Sequence, residues 1–242
     1  MRKFISLLIL VVSFTAHSQE RATLKNLKRD KEVCKAFAHK SIHEIEDGIL
    51  LVRLNFRQRQ VDYLNSRKDS IGANRITKEA MKVNKKITNA FAENFDFCTV
   101  YFFKKADSKH LKNQDFDSLT FYDLSFNEID RSVIQEDNYL IGEFGRIKDD
   151  TTSFYSDEIR DTSKEKPKSK TYYGGSKNGR EAFIIMDRKF QQIRKPFPYF
   201  AGLEIFLSEG ARFKKALTKI NLKLHDYSNE VAGLELSKSD GE

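Results

Sequence analysis

Ile49-Leu50-Leu51-Val52-Arg53-Leu54 and Cys98-Thr99-Val100-Tyr101-Phe102-Phe103 are the two stretches that decide the fold of this chain. Each is a short, nearly continuous apolar run, the pattern of a strand covered on both faces. Between them, Ala80, Val83, Asn84, Ile87, Ala90, Phe91 and Phe95 recur at helical spacing. Thr77 stands where its hydroxyl can cap that helix. Val61 and Leu64 suggest a shorter helix before it, with a break around Ser70 to Asn74. Strand, helix and strand of these lengths predict a right-handed crossover joining two parallel strands. Arg53, inside an apolar run, needs a partner or an exit to water.

Working outward, residues from Ala22 to Ile45 carry Leu24, Leu27, Val33, Cys34, Phe37, Ala38, Ser41 and Ile45 near one helical face. Asp47-Gly48 is expected to end this helix with a left-handed glycine. Strands are expected at Leu119 to Leu124, Tyr139 to Ile147 and Ala182 to Asp187, with a return from Phe190 to Ile193. A last helix runs from Glu209 or Gly210 to about Tyr227 on Phe213, Ala216, Leu217, Ile220 and Leu224, and the last dozen residues read as a frayed tail. Lys148 to Glu181 is polar, acidic early and lysine-rich late. With so little apolar area to offset its ordering entropy, it is predicted to be a mobile loop. The fold class is α/β: a single domain over 19–242, with a βαβ unit in the first half, a strand-rich second half and a C-terminal helix.

The chain opens on Arg2-Lys3, an apolar run from Ile5 to Val12, and small residues at Ala16 and Ser18. Charge, apolar core and small residues in that order are the layout of a secretory signal peptide, here residues 1–18. The expectation is export to the periplasm or beyond, with cleavage before Gln19. The apolar run is shorter than the roughly 20 residues a membrane span needs, and no later segment qualifies. No transmembrane helix is expected after cleavage.

Losing Arg2 and Lys3 lowers the formal charge of +8 by two, to +6. Acidic and basic residues alternate along most of the chain instead of collecting on one face, which argues against a specific nucleic-acid partner. The usage is rich in Lys, Asn, Asp, Ser, Ile and Phe, and 242 residues contain no Trp. This bias suggests an AT-rich, bacterial genome.

Cys34 and Cys98 are the only cysteines. In an oxidising compartment one disulfide between them would stabilise the fold by about 4 kcal/mol on chain-entropy grounds. Two buried free thiols are the alternative. His39 and His43 stand four apart on the first helix, but Lys40-Ser41 between them does not reproduce a zinc-protease motif, so no metal site is expected. Asp115, Asp117, Asp123, Glu128 and Asp130 lack the glycine turn of a calcium loop and read as surface acids. Gly174-Gly175 to Arg180 lacks the phosphate-loop order. Tyr172 and Tyr173 among lysines form an aromatic-basic patch that suits loop packing. Asp187 closes a strand, yet Arg188-Lys189 makes it a turn residue. No serine elbow is present, and no cofactor is expected.

These observations favour an exported, non-catalytic binding or accessory protein of the bacterial envelope or extracellular space, with an envelope protein or a small ligand as partner. Tyr199 and Phe200, in the aromatic segment from Lys195 to Phe206, are the candidate partner surface. The alternative is an extracytoplasmic, hydrolase-like enzyme whose carboxylates, histidine or arginine converge only in the folded chain.

Overall fold

A seven-stranded mixed sheet in the order β4-β3-β2-β1-β5-β6-β7 organises the protein. The structure, a computed structural model, describes residues 31–134, 138–147 and 179–239. The expected signal segment, most of the polar loop and the Tyr172-Tyr173 patch lie outside the described residues. The elements in chain order are α1 (Lys31–Glu46), β1 (Ile49–Leu54), α2 (Gln58–Ser66), α3 (Ser70–Asn94), β2 (Thr99–Lys104), α4 (Ser108–Lys112), β3 (Phe121–Tyr122), β4 (Glu128–Ile129), β5 (Tyr139–Arg146), β6 (Glu181–Met186), β7 (Phe200–Gly202) and α5 (Glu209–Ser239).

The two deciding stretches are neighbours. β1 and β2 pair in parallel, Leu50 opposite Val100 and Val52 opposite Phe102, and β5 pairs in parallel on the other side of β1. Hairpin-like antiparallel strands complete both flanks. The α/β class, the early strand–helix–strand unit and the C-terminal helix are therefore as expected.

Alternation along β1 splits the core in two. Leu50, Val52 and Leu54 join Phe91, Phe102, Leu140, Phe183 and Leu217 on the face covered by α1, α3 and α5. Ile49 and Leu51 join Phe103, Tyr139, Ile141 and Ile184 on the opposite face, under Leu111, Phe116 and Ile134 from the β2–β5 connection. Phe91 anchors the first cluster, its ring centroid 5.5 Å from those of Phe95, Phe102 and Phe183. Gly142 makes room for this packing: a Cβ there would lie 2.8 Å from Phe183 Cζ.

Several boundaries differ from the sequence reading, each for a local reason. Asp69, not Thr77, caps α3, its carboxylate accepting from the Gly72 amide at 2.8 Å. Thr77 lies inside the helix and donates its hydroxyl to the Ala73 carbonyl at 3.0 Å, the back-bonding open to mid-helix threonines. Gly48 follows α1, but close approach and not a left-handed backbone selects it: a Cβ would stand 2.2 Å from the Glu44 carbonyl oxygen and 2.6 Å from that of Asn138. Phe37 is 45% exposed, and α1 buries Ala38, Ser41, Ile42 and Ile45 instead. The expected strand at Leu119 to Leu124 shortens to Phe121–Tyr122. The return after β6 is reduced to one bridge between Met186 and Gln192. The last helix is longer than expected: α5 continues past Tyr227 to Ser239 and buries Tyr227 and Val231.

Parallel helices α3 and α5 are fastened by polar contacts along their seam. Lys86 Nζ meets Glu209 Oε2 at 2.7 Å, and Lys214 pairs with Glu93. Asn221 Oδ1 accepts the Asp96 and Phe97 amides at 3.1 Å, closing the C-terminal end of α3. This seam fixes the first turn of α5 against the middle of α3, where the candidate site lies.

Candidate functional site

The strands that follow β1 and β5 in the chain lie on opposite sides of this pair. After β1 the chain passes through α2 and α3 to β2, whereas β6 lies on the other side, beside β5. Where adjacent parallel strands have their successors on opposite sides, a crevice opens at their carboxyl ends, the usual ligand position of open α/β sheets. A cavity of about 330 Å³ lies at this point.

Local sequence shapes its walls. Asn55, just past β1, accepts the Arg57 amide on Oδ1 at 2.9 Å, and Arg57 takes a left-handed backbone with φ 54°. This turn ends the strand abruptly and directs the chain into α2. Asn84, buried on α3, donates from Nδ2 to the Asn55 carbonyl at 3.4 Å and ties the turn to the helix. Ala80, Val83 and Ile87 of α3 form an apolar wall facing Phe144 of β5 and Phe213 of α5. The small side chain at Ala80 leaves space where a longer one would fill it.

The polar lining is mainly cationic. Arg53, Arg57, Arg146 and Arg212 line the cavity, against Glu181 and Glu209, a surplus of two positive charges. Setting aside Arg53, which Glu143 neutralises, and counting the remaining ion-pair partners outside the lining, Glu79 and Lys86, leaves a surplus of one positive charge. Arg57 Nη1 is 3.2 Å from Glu79 Oε2, and Arg212 Nη1 is 3.9 Å from Glu181 Oε2, at the outer limit of an ion pair. Arg146 makes no ion pair among the described residues and is exposed. Arg212 Nε is buried with no hydrogen-bond acceptor among them.

Arg53 answers the need noted in the sequence. Its guanidinium lies on the opposite sheet face, with Nη2 2.6 Å from Glu143 Oε2 and the ring of Phe190 5.1 Å from the guanidinium carbon. Arg53 Nε and Glu143 Oε2 are both buried without an aligned hydrogen-bond partner among the described residues. Burial pushes the Arg53 guanidinium below its ordinary value, and the charge of Glu143 opposes that shift.

The residues singled out in the sequence do not assemble here. Cys34 and Cys98 are free thiols, both half-buried, with no disulfide between them. Burial pushes the Cys98 thiol far above its ordinary value, partly opposed by a backbone hydrogen bond with Leu50. Since the thiolate is the reactive form, Cys98 is expected to resist iodoacetamide at pH 8 in the folded protein and to react on unfolding. Mass spectrometry of alkylated peptides checks this, and mass unchanged by reduction checks the free-thiol state.

Tyr199 and Phe200, the expected partner surface, enter edge strand β7 half-buried. Tyr199 packs against the helical-face core and Phe200 against the other. Their rings lie 4.8 Å apart, and Lys223 Nζ stands 5.5 Å from the Phe200 ring. Replacing both therefore removes packing from two core faces as well as surface. In the same aromatic segment Ile205 is 83% and Phe206 99% exposed.

Among the described residues no group of three His, Cys, Asp or Glu side chains could hold a metal ion. The ring of His39 packs edge-on against Tyr227, with centroids 6.1 Å apart. Asp115 binds His110, Asp117 pairs with Arg131, and Asp123 and Asp130 accept nearby backbone amides. Asp187 accepts the Lys189 and Gln191 amides, as a turn aspartate does. No described helix is long and apolar enough to cross a membrane.

Arg57, Arg146 and Arg212 carry no motif, and only the fold gathers them. Two signals did point towards this end of the sheet: Arg53 inside an apolar strand and Asn84 on an otherwise apolar helix face. In comparisons with known proteins the chain matches no protein-family model, no curated protein and no solved structure.

Proposed function

We propose that this protein is an exported binding protein that holds a small ligand in the crevice between the carboxyl ends of β1 and β5. One observation carries this reading: the cavity lies at the carboxyl ends of adjacent parallel strands whose successors lie on opposite sides, and it combines an apolar wall with converging arginines. The signal-like start supplies the reading of export, and an envelope or extracellular setting follows from it.

Native mass spectrometry tests the binding reading. The chain from Gln19 is incubated with an envelope extract and desalted, as wild type and as Val83→Trp, which fills the cavity from a half-buried helix position. The expected result is a small molecule retained by the wild type and lost from a Val83→Trp variant with unchanged circular dichroism. Equal retention by both, or none by either, would contradict the proposal.

A second reading, an extracytoplasmic hydrolase-like enzyme, is favoured by Glu181 and Glu209 lining the same cavity as the arginines. It predicts that the retained molecule is released chemically altered, and that Glu181→Gln or Glu209→Gln stops this without preventing capture. A molecule recovered unchanged supports binding.

A further inference from the structure

The cavity is amphipathic, and its polar side is not balanced within the described residues. Arg146 stands at the end of β5 without an ion pair among the described residues. Among the described residues Arg212, on the first turn of α5, has only a 3.9 Å contact to Glu181, and its buried Nε lacks an acceptor. Buried guanidinium N–H groups ordinarily have acceptors, because leaving one unpaired sacrifices its hydration without return. Arg57 adds a third cation on the β1 side, shared with Glu79 on the exposed surface of α3. Guanidinium forks match the planar or tetrahedral oxygens of carboxylates and phosphates better than they match neutral groups. Facing them, Val83, Ile87, Phe144 and Phe213 offer an apolar wall for a short hydrocarbon body. A volume of about 330 Å³ lies at the small end of ligand pockets.

From this arrangement we infer that the ligand is a small amphipathic oxyanion, its carboxylate or phosphate held by Arg57, Arg146 and Arg212 and its apolar body against α3 and Phe213. This inference rests on the reading of the cavity as a binding site and narrows it to one chemical class. Arg53 has no direct part, since Glu143 neutralises it on the other sheet face.

Titration calorimetry with four probes of equal chain length tests the class: hexyl phosphate, hexanoate, hexanol and hexylammonium. Either anion is expected to bind at least about tenfold more tightly than hexanol, since one charge-assisted hydrogen bond contributes that much. The stronger of the two anions identifies the head group. Arg146→Gln and Arg212→Gln are each expected to weaken the preferred anion about tenfold while leaving hexanol unchanged. Arg57→Lys keeps charge but not the fork, so it separates bidentate recognition from simple attraction. Raising salt should weaken the anions alone.

Hexanol or hexylammonium binding as well as the anions, with loss in Val83→Trp, would overturn the anion class and leave the binding site standing. Failure of all four probes, together with an empty wild type in native mass spectrometry, would remove both. If Arg146→Gln and Arg212→Gln each bound the anions as well as the wild type, the inference would be overturned even with anions bound.

Discussion

Phe91→Ala is expected to destabilise the protein by about 3–5 kcal/mol, the cost of removing a fully buried aromatic ring and leaving a cavity. Phe91 is 0% exposed and sits where α3 meets the sheet. Its ring centroid lies 5.5 Å from those of Phe95, Phe102 and Phe183, edge-on in each case, and 6.5 Å from that of Phe144. Such edge-on pairs add to plain area burial, since the ring edge and face carry opposite partial charge. Phe102 and Phe183 come from strands held in place by β1 and β5, so the neighbours cannot collapse into the void without bending the sheet. Urea denaturation checks the value. A loss below about 1 kcal/mol would mean that this ring is not the junction of the helical-face core. Phe144 also lines the cavity, so the variant should lose ligand affinity as well as stability.

Glu143→Ala is expected to cost about 3–5 kcal/mol, the range for removing one member of a buried ion pair. The Arg53 and Glu143 side chains are 13% and 14% exposed. Without Glu143 the Arg53 guanidinium remains between β1 and the ring of Phe190 with its charge uncompensated, while Lys105, 46% exposed, can turn to water. The double variant Arg53→Met/Glu143→Leu removes both charges and keeps the volume, and is expected to regain most of the loss. Burial already disfavours the Arg53 charge, so the pair need not contribute net stability over an apolar replacement. A double variant as unstable as Glu143→Ala would show that the pair has a further structural role. Because Arg53 lines the cavity from the far face, ligand affinity should change little in the double variant.

How much of this was legible in the sequence depends on the range over which each signal acts. Two apolar runs flanking a helix-periodic stretch sufficed for the parallel β1–β2 pair, because strand burial and helix periodicity are written within a few residues. Asn84 and Arg53 were visible as polar residues in apolar patterns, but their partners Asn55 and Glu143 follow only from register and turn geometry. The helix start at Asp69 was hidden because both Asp69 and Thr77 can cap, and only the packing of Gly72 and Ala73 selects the first. Phe37 fits the helical face numerically but points away from the sheet, since α1 meets it with Ala38 and Ile42. The site was less legible still. Arg57, Arg146, Glu181 and Arg212 span most of the chain, and their meeting depends on β5 inserting beside β1 on the side away from β2. Tyr199 and Phe200 read as surface from their aromatic segment, yet each ring packs against a different core where the chain enters β7.

The measurement that bears most directly on the proposed function is a crystal structure of the protein carrying the molecule it retains from envelope extract. The molecule is expected in the crevice, against Val83 and Phe213, with oxygen atoms within hydrogen-bonding distance of Arg212 or Arg146. A molecule seated instead at Tyr199 and Phe200, or on Ile205 and Phe206, with the crevice empty, would contradict the account.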